Sequence, residues 1–447
     1  MKKIVLAWTL LLSLNASAQE IATPHFEQGT KQWTLQECLQ YALENSWDVK
    51  MMKLVKRTAT EERKQSKASL LPSLSASTTH SVGYEPWMDT YDIEDIKKTR
   101  YTGSYGLDAR WTVWNGNQNR NELRKSKLAE EVAELDVEET CNTLQEEIAK
   151  LYVQVLYTYE AIAVNEQSLE ASRKNEERGR QMLEVGSMSK AELAQLTAQR
   201  ATDEYNVVET KTNLAKYKMK LKQLLELTGD STFDIARSTA TDDQALVAIP
   251  SLKSVFDQAM LLRPEVKSAE KEIQQSELQL KIARAGYLPE VSLTGGVGTG
   301  TSSRDSNGWG YQMKTGFDAS AAVNVSVPIF DNRLNKTAVN KAKIAREQAL
   351  LNQEDVEDVL YNTLEEYWLD AQNNQQKFRA ACLTVESEQD SYDLLSEQFN
   401  LGLKNVVELM TGKATLLKAQ QNKLQSKYLT ILAVQLLKFY QGEAMNI

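Results

Sequence analysis

The chain has 447 residues, 42% hydrophobic and 25% charged, and its 61 acidic against 52 basic side chains give a net charge of −9, which argues against a nucleic-acid partner. The three cysteines, Cys38, Cys141 and Cys382, lie far apart in helical patterns and the only histidines are His25 and His80, so no metal site is readable and no cofactor is expected. Beyond the first residues no apolar run reaches the ~18 residues of a membrane-crossing helix, so membrane contact would have to be made by strands.

Lys2-Lys3, the apolar run Ile4 to Leu14 and Ala16-Ser17-Ala18 have the layout of a secretory signal peptide over 1–18, cleaved after Ala18. Loss of Lys2 and Lys3 would take the net charge from −9 to −11. A short N-terminal segment, 19–33, precedes a helical stretch at 34–71 that opens on the capping-box pattern Thr34 to Glu37 and breaks at Asn45-Ser46. Pro72 ends it. Leu74, Ala76, Thr78, His80, Val82 and Tyr84 then alternate with small polar residues, which predicts a strand at 72–84. A polar loop, 85–100, leads to a second strand at 101–114, where Tyr101, Gly103, Tyr105, Leu107, Ala109, Trp111 and Val113 form one apolar face. Asn115-Gly116-Asn117 interrupts the alternation. From there 118–185 reads as a single helix, on the order of 100 Å long at ~1.5 Å per residue, longer than a compact core needs. The chain turns at Gly186, and Ser189 to Glu192 is a capping box for a returning helix at 190–228. These elements make a first repeat at 34–229, followed by a connector at 230–249 rich in Ser, Thr, Asp and Ala.

The pattern recurs about 216 residues on: Asp48-Val49-Lys50 returns as Glu265-Val266-Lys267, Pro72 as Pro289, Gly186 as Gly402 and Leu193 as Leu409. The second repeat, 250–447, is predicted to hold helices at 251–287, strands at 289–299 and 317–328 around a loop at 300–316, a long helix at 334–401 and a returning helix at 406–440. So long a period marks an internal duplication rather than a solenoid.

Each half contributes two strands of about ten residues, the length that crosses an outer membrane when tilted. Four strands cannot close, and open edges in lipid would leave unpaired backbone groups at several kcal/mol each. The edges therefore have to pair with other copies, two giving eight strands and three giving twelve. Tyr84, Trp111, Trp114, Phe317 and Phe330 stand at strand ends, where membrane interfaces favour aromatics. The competing reading is a non-channel periplasmic or cell-surface coiled-coil scaffold, since alternating strands also suit sheets with one wet face.

Two motifs introduce strands, Leu71-Pro72-Ser-Leu-Ser and Leu288-Pro289-Glu-Val-Ser, and two leave them, Trp111-Thr-Val-Trp-Asn-Gly116 and Val327-Pro-Ile-Phe-Asp331. With these motifs repeated in order over nearly the whole mature chain, the sequence resembles the TolC-like outer membrane factor family. The resemblance implies a mainly α fold with a transmembrane β-barrel section, in which a homotrimer places twelve strands in outer-membrane lipid and a twelve-helix tunnel in the periplasm. It also implies an exit duct of a tripartite efflux pump or type I secretion system, passively conducting substrate from a periplasmic adaptor and an inner-membrane transporter of RND or ABC type. Two positions depart from the pattern. Asp331-Asn332-Arg333 stands where the family often has paired glycines, and Trp47 stands where Pro264 occurs in the second half.

Arg180 to Ser187 and Phe399 to Leu403 resemble the family's hairpin tips, so Arg180, Val185, Gly186, Ser187, Leu401, Gly402 and Leu403 are the expected adaptor-docking residues. A glycine at each turn is equally what a helix C-terminus with positive φ requires. Glu192 and Glu408 sit six residues past the tip glycines, where the family places acidic groups that narrow the closed mouth. Both also fit the N3 position of a capped helix, behind Ser189 and Asn405. Lys404 is placed to pair with Glu192 of the neighbouring hairpin, and Phe399 lacks the hydroxyl that would join such a network. Enzyme signatures fail on spacing. Gly412-Lys413 ends like a phosphate loop but Val407 occupies the required glycine position, and Gly296, Gly298 and Gly300 would need a glycine at Thr301. No catalytic residue is expected.

Overall fold

A computed structural model describes residues 32–87, 98–227, 233–237 and 240–446. The expected signal peptide at 1–18, the 19–31 part of the N-terminal segment and the Asp92 region of the first strand loop lie outside the described residues. The first half contains β1 (Gln32–Trp33), α1 (Leu35–Asn45), α2 (Trp47–Ala68), β2 (Ser73–Tyr84), β3 (Thr99–Trp114), α3 (Gln118–Glu184) and α4 (Lys190–Leu224). After β4 (Asp234–Ile235) and α5 (Asp242–Ala245), the second contains α6 (Leu252–Leu262), α7 (Pro264–Ala285), β5 (Glu290–Ser302), α8 (Trp309–Thr315), β6 (Asp318–Ser326), α9 (Leu334–Asn400) and α10 (Val406–Tyr440).

Duplicated helices match in length: α3 and α9 have 67 residues each, α4 and α10 have 35, α2 and α7 have 22. At ~1.5 Å per residue each long helix spans roughly 100 Å. No single apolar stripe runs its length, because different partners cover successive parts. In its barrel-side half α3 meets α2 through Lys56–Glu134 and α7 through Lys271–Glu131. In its other half it meets α4 through Asn165 and Thr210, and α10 through Asn165 and Gln421.

The largest core surrounds the middle of α3, where Ile148, Tyr152, Val155 and Leu156 pack with Cys38, Ala42, Leu221, Ile235 and Tyr428. A second core joins Val255 and Ala259 of α6 to Leu360, Leu364 and Leu437. A third, small core sits near the tips, where Met188, Leu196, Phe399, Val406 and Leu409 meet.

The four long strands form one antiparallel sheet in the order β2-β3-β5-β6. Its register aligns the apolar positions: Leu74 faces Ala109, Ala76 faces Leu107, Trp111 faces Leu293, Leu107 faces Val297 and Leu293 faces Val323. Directly paired residues share a face, so a single apolar surface crosses all four strands. The other face carries Ser75, Ser77, Asp108, Gly296 and Ser320.

Several expectations need correction. A β-bulge between Thr112 and Trp114 sets Trp114 opposite Val291, so Trp114 rather than Val113 continues the apolar face. The connector at 230–249 holds two short elements: β4 pairs in parallel with β1, and α5 carries its own capping box from Thr241. The loop at 300–316 is shorter, because β5 continues to Ser302 and α8 fills most of what remains. α4 stops at Leu224, ahead of the expected 228: Glu226 takes a left-handed φ of 54° and the Leu227 N–H bonds the Lys222 carbonyl. The Asp331-Asn332-Arg333 turn nonetheless reproduces its glycine-bearing counterpart. Asn332 and Arg333 have φ of 51° and 70°, against 65° and 64° at Gly116 and Asn117.

Candidate functional site

The sheet is a wall fragment with two open edges, β2 and β6. Three antiparallel pairings separate these edges, so they run in opposite directions, and joining β6 of one copy to β2 of another continues the antiparallel order. Tyr101 and Trp111 bracket the apolar face ten steps apart along β3. At ~3.4 Å per residue and a tilt of about 40°, this is roughly 26 Å along the membrane normal, close to the ~25 Å apolar band of an outer-membrane barrel. Tyr84 and Phe317 lie at the loop end of that face. Trp111, Trp114 and Phe330 lie at the helix end, and Trp111 Nε1–H donates to the Leu70 carbonyl at 2.9 Å. All five are exposed.

The far ends of the helical hairpins are built alike. At the first tip the Gly186 N–H bonds the Leu183 carbonyl at 3.0 Å and the Ser187 N–H bonds the Met182 carbonyl at 2.8 Å. At the second, Gly402 bonds Phe399 and Leu403 bonds Gln398, both at 2.9 Å. This is the Schellman closure, and it needs a left-handed residue at its centre, which φ of 78° at Gly186 and 74° at Gly402 supply. A Cβ at either glycine would meet nothing within 4 Å. Around these turns Val185, Leu401 and Leu403 are 79%, 75% and 71% exposed, so each tip ends in apolar side chains. Phe399 faces inward instead and is only 2% exposed, filling the core between the two hairpins.

Arg180 bonds Glu176 at 2.9 Å, and the same carboxylate takes Arg200 Nε at 2.8 Å and the Thr197 hydroxyl at 3.0 Å. Burial alone would raise the Glu176 carboxyl. The bonds from Arg180 and Thr197 and the two guanidinium charges outweigh that and hold it below the usual carboxylate range.

Glu192 closes a reciprocal capping box, accepting the Ser189 N–H at 2.8 Å while its own N–H bonds Ser189 Oγ at 3.2 Å. The bonds that its carboxylate takes from the Ser189 backbone N–H and side chain hold it below the ordinary value. Glu408 is capped only in part. Its N–H bonds Asn405 Oδ1 at 2.9 Å, but its carboxylate takes the Asn405 side-chain amide at 3.1 Å and Lys404 Nζ at 2.5 Å. Within the chain Lys404 therefore pairs with Glu408, one turn along its own segment, instead of Glu192.

Sequence reasoning missed the main buried polar group near the tips. Lys413 on α10 bonds Asp203 on α4 and Ser172 on α3, and Gln199 bonds the second Asp203 oxygen at 3.1 Å. Lys413 and Asp203 are 5% and 1% exposed. Burial pushes the Lys413 ammonium below its ordinary range, against the opposing pull of Asp203. The cluster ties the second hairpin to both helices of the first.

Among the described residues no helix is long and apolar enough to cross a membrane, and no group of three or more His, Cys, Asp or Glu side chains could hold a metal ion.

The sequence matches the model of the outer membrane efflux protein family twice, over residues 38–226 and 255–443. It is 23% identical over 322 residues to the cation efflux system protein CusC of Escherichia coli O157:H7, covering 70% of this chain and 65% of that protein's length. It is 20% identical over 402 residues to the outer membrane efflux protein BepC of Brucella suis biovar 1, covering 90% and 83%. Among solved structures, CusC is similar with a TM-score of 0.80 at 18% identity, over 94% of this chain and 96% of that one. The CmeC outer membrane channel of Campylobacter jejuni gives 0.77 at 20% identity, over 92% and 87%. These likenesses extend the fold through both the sheet and the long helices.

Proposed function

Since this chain belongs to the outer membrane efflux protein family, we propose that three copies of it form the exit duct of a tripartite efflux pump or type I secretion system. The observation that carries this reading is the four-stranded sheet, with one continuous apolar face and two unpaired edges. Three copies supply twelve strands, the apolar face meets lipid, and the Ser-rich and Gly-rich face lines the pore. The long helices continue the wall into the periplasm. The duct contributes no catalysis and lets substrate pass down its gradient, so the inner-membrane transporter, of RND or ABC type, selects the cargo.

The tips supply the adaptor contact: Val185, Gly186 and Ser187 on one hairpin and Leu401, Gly402 and Leu403 on the other, with Arg180 beside them. Their apolar side chains stand out from rigidly capped turns, which suits docking at little ordering cost. Glu192, Lys404 and Glu408 lie just past the tips and form the periplasmic gate. A signal peptide over 1–18 directs export. The scaffold alternative leaves the exposed apolar sheet face and both open edges without partners. Purified protein in planar bilayers tests the proposal: discrete, reproducible conductance steps are expected, and protein that inserts without conducting would refute the duct.

A further inference from the structure

In a chain of net charge −9, one place just below the sheet is strongly basic. A cleft of about 470 Å³ between the start of α3 and the end of α7 is lined by Arg120, Arg124, Lys281 and Arg284, with Gly116 and Leu288 at its barrel end. All four cations are exposed, and among the described residues none of them has an ion pair or a side-chain hydrogen bond. Other cations on these helices are matched: Lys125 lies 3.7 Å from Glu122, and Lys271 lies 2.6 Å from Glu131. The last acid of α7, Glu277, is taken by Arg346 at 3.3 Å. Unmatched cations around one cleft repel one another, and the positive end of the α3 dipole lies among them. An anion completes such a cleft.

Depth and side narrow down which anion. At ~1.5 Å per residue, Arg120 and Arg124 lie about 3 and 9 Å past the first residue of α3, and Lys281 and Arg284 about 6 and 2 Å before the last residue of α7. A headgroup layer extends roughly 5–8 Å beyond the hydrocarbon, so the cations are level with it. Leu288 marks the side. It is 45% exposed, as its counterpart Leu71 is at 67%, and an apolar side chain bared at the foot of the barrel belongs against lipid rather than in a polar pore. The duplication repeats the charge without repeating the residues: Arg120 returns as Lys336, while Lys281 and Arg284 correspond to Lys64 and Lys67. Only Arg124 has a neutral counterpart, Asn340.

We propose that this cleft binds the headgroup phosphate of an anionic phospholipid in the inner leaflet of the outer membrane. Arg120 and Arg284 hold the phosphate oxygens, since a planar guanidinium meets two of them at once, and Arg124 and Lys281 add charge. The acyl chains then run up past Leu288. The inference rests on the duct reading above, which sets the sheet in lipid.

The test uses full-length protein in detergent, titrated with phosphatidylglycerol or phosphatidylcholine, with the lipids bound per particle counted by native mass spectrometry. Each cation near an anionic lipid is worth about fivefold in affinity, so Arg120→Gln/Arg284→Gln should weaken phosphatidylglycerol binding on the order of 20-fold and leave phosphatidylcholine unchanged. Lys190→Gln/Lys253→Gln, which removes the same charge far from the cleft, should bind as the wild type does. Arg124→Gln/Lys281→Gln is the second cleft variant, read in place of the first if that one does not assemble. Glycerol phosphate at the lipid's concentration should not displace it. The inference is overturned if protein that conducts in planar bilayers shows no preference for phosphatidylglycerol, if the cleft pair loses no more than the control pair, or if glycerol phosphate displaces the lipid. A changed ion selectivity in the cleft variant would put the cations on the pore side and overturn it too. Protein that inserts without conducting would instead overturn the duct reading.

Discussion

Lys413→Met is the sharpest perturbation of the helical half, because it removes one partner of a buried pair and leaves the other in place. Asp203 would keep Ser172 and Gln199 but lose its cation, at a site where it is 1% exposed. Removing one member of a buried ion pair costs about 3–5 kcal/mol, mainly as the penalty on the stranded charge. With 447 residues at roughly 2.1 cal/mol/K each, the entropy of unfolding is about 0.9 kcal/mol/K, so the expected fall in Tm is about 3–5 °C. Adding Asp203→Asn removes the stranded charge while keeping a hydrogen-bonding side chain, and most of the loss should return. The assay is thermal unfolding of the detergent-solubilised protein at fixed concentration, followed by far-UV circular dichroism. If Lys413→Met melts with the wild type, or the double variant melts no higher than the single, the pair does not hold the hairpins together.

Four further outcomes are expected. Gly402→Val forces a β-branched residue into φ of 74°, a strain of about 1–2 kcal/mol, and it should abolish export while oligomer and localisation persist; unchanged export would count against tip docking. Glu408→Gln keeps the backbone bond to Asn405, so α10 should stay intact while the cation preference of the bilayer conductance falls; an unchanged preference would leave Glu408 only a helix cap. The Glu176 carboxyl is held low in the fold, so its stabilisation is present above the unfolded value near 4.5 and is lost as pH falls through the folded one. Protection of the tip-half amides, taken relative to their intrinsic exchange rates at each pH, should therefore fall under acid in the wild type more than in Glu176→Gln, and an equal fall would refute it. A cysteine at Ser306, in the turn between β5 and α8, should be labelled by an impermeant reagent in intact cells; labelling only after permeabilisation would invert the topology.

Local periodicity made the strands and long helices legible, because a period of two and a helical period each leave their mark in successive residues. Thr34, Ser189 and the two tip glycines similarly announced where helices begin and end. What the sequence concealed depended on distant partners or on irregular backbone. Lys413 stands out in sequence only as the end of a failed phosphate-loop pattern, and its burial follows from Asp203, which lies 210 positions away. Phe399 is conspicuous in sequence only for lacking a hydroxyl, whereas in the fold it fills the core between hairpins. The bulge at Val113 carries no glycine to mark it, so simple alternation puts Val113 on the apolar face where the fold sets Trp114. Glu226 ends α4 in a left-handed conformation without a glycine, and the helix was expected to run on to 228. Within the chain Lys404 pairs with Glu408, a neighbour on its own segment that reading by position did not name.

Closure of the four-stranded sheet by identical copies is the central claim, and native mass spectrometry of protein extracted from outer membranes in detergent tests it most directly. Three chains per particle are expected, since three sheets supply twelve strands and leave no edge in lipid. A particle of one chain, folded and stable in the same detergent, would contradict the account.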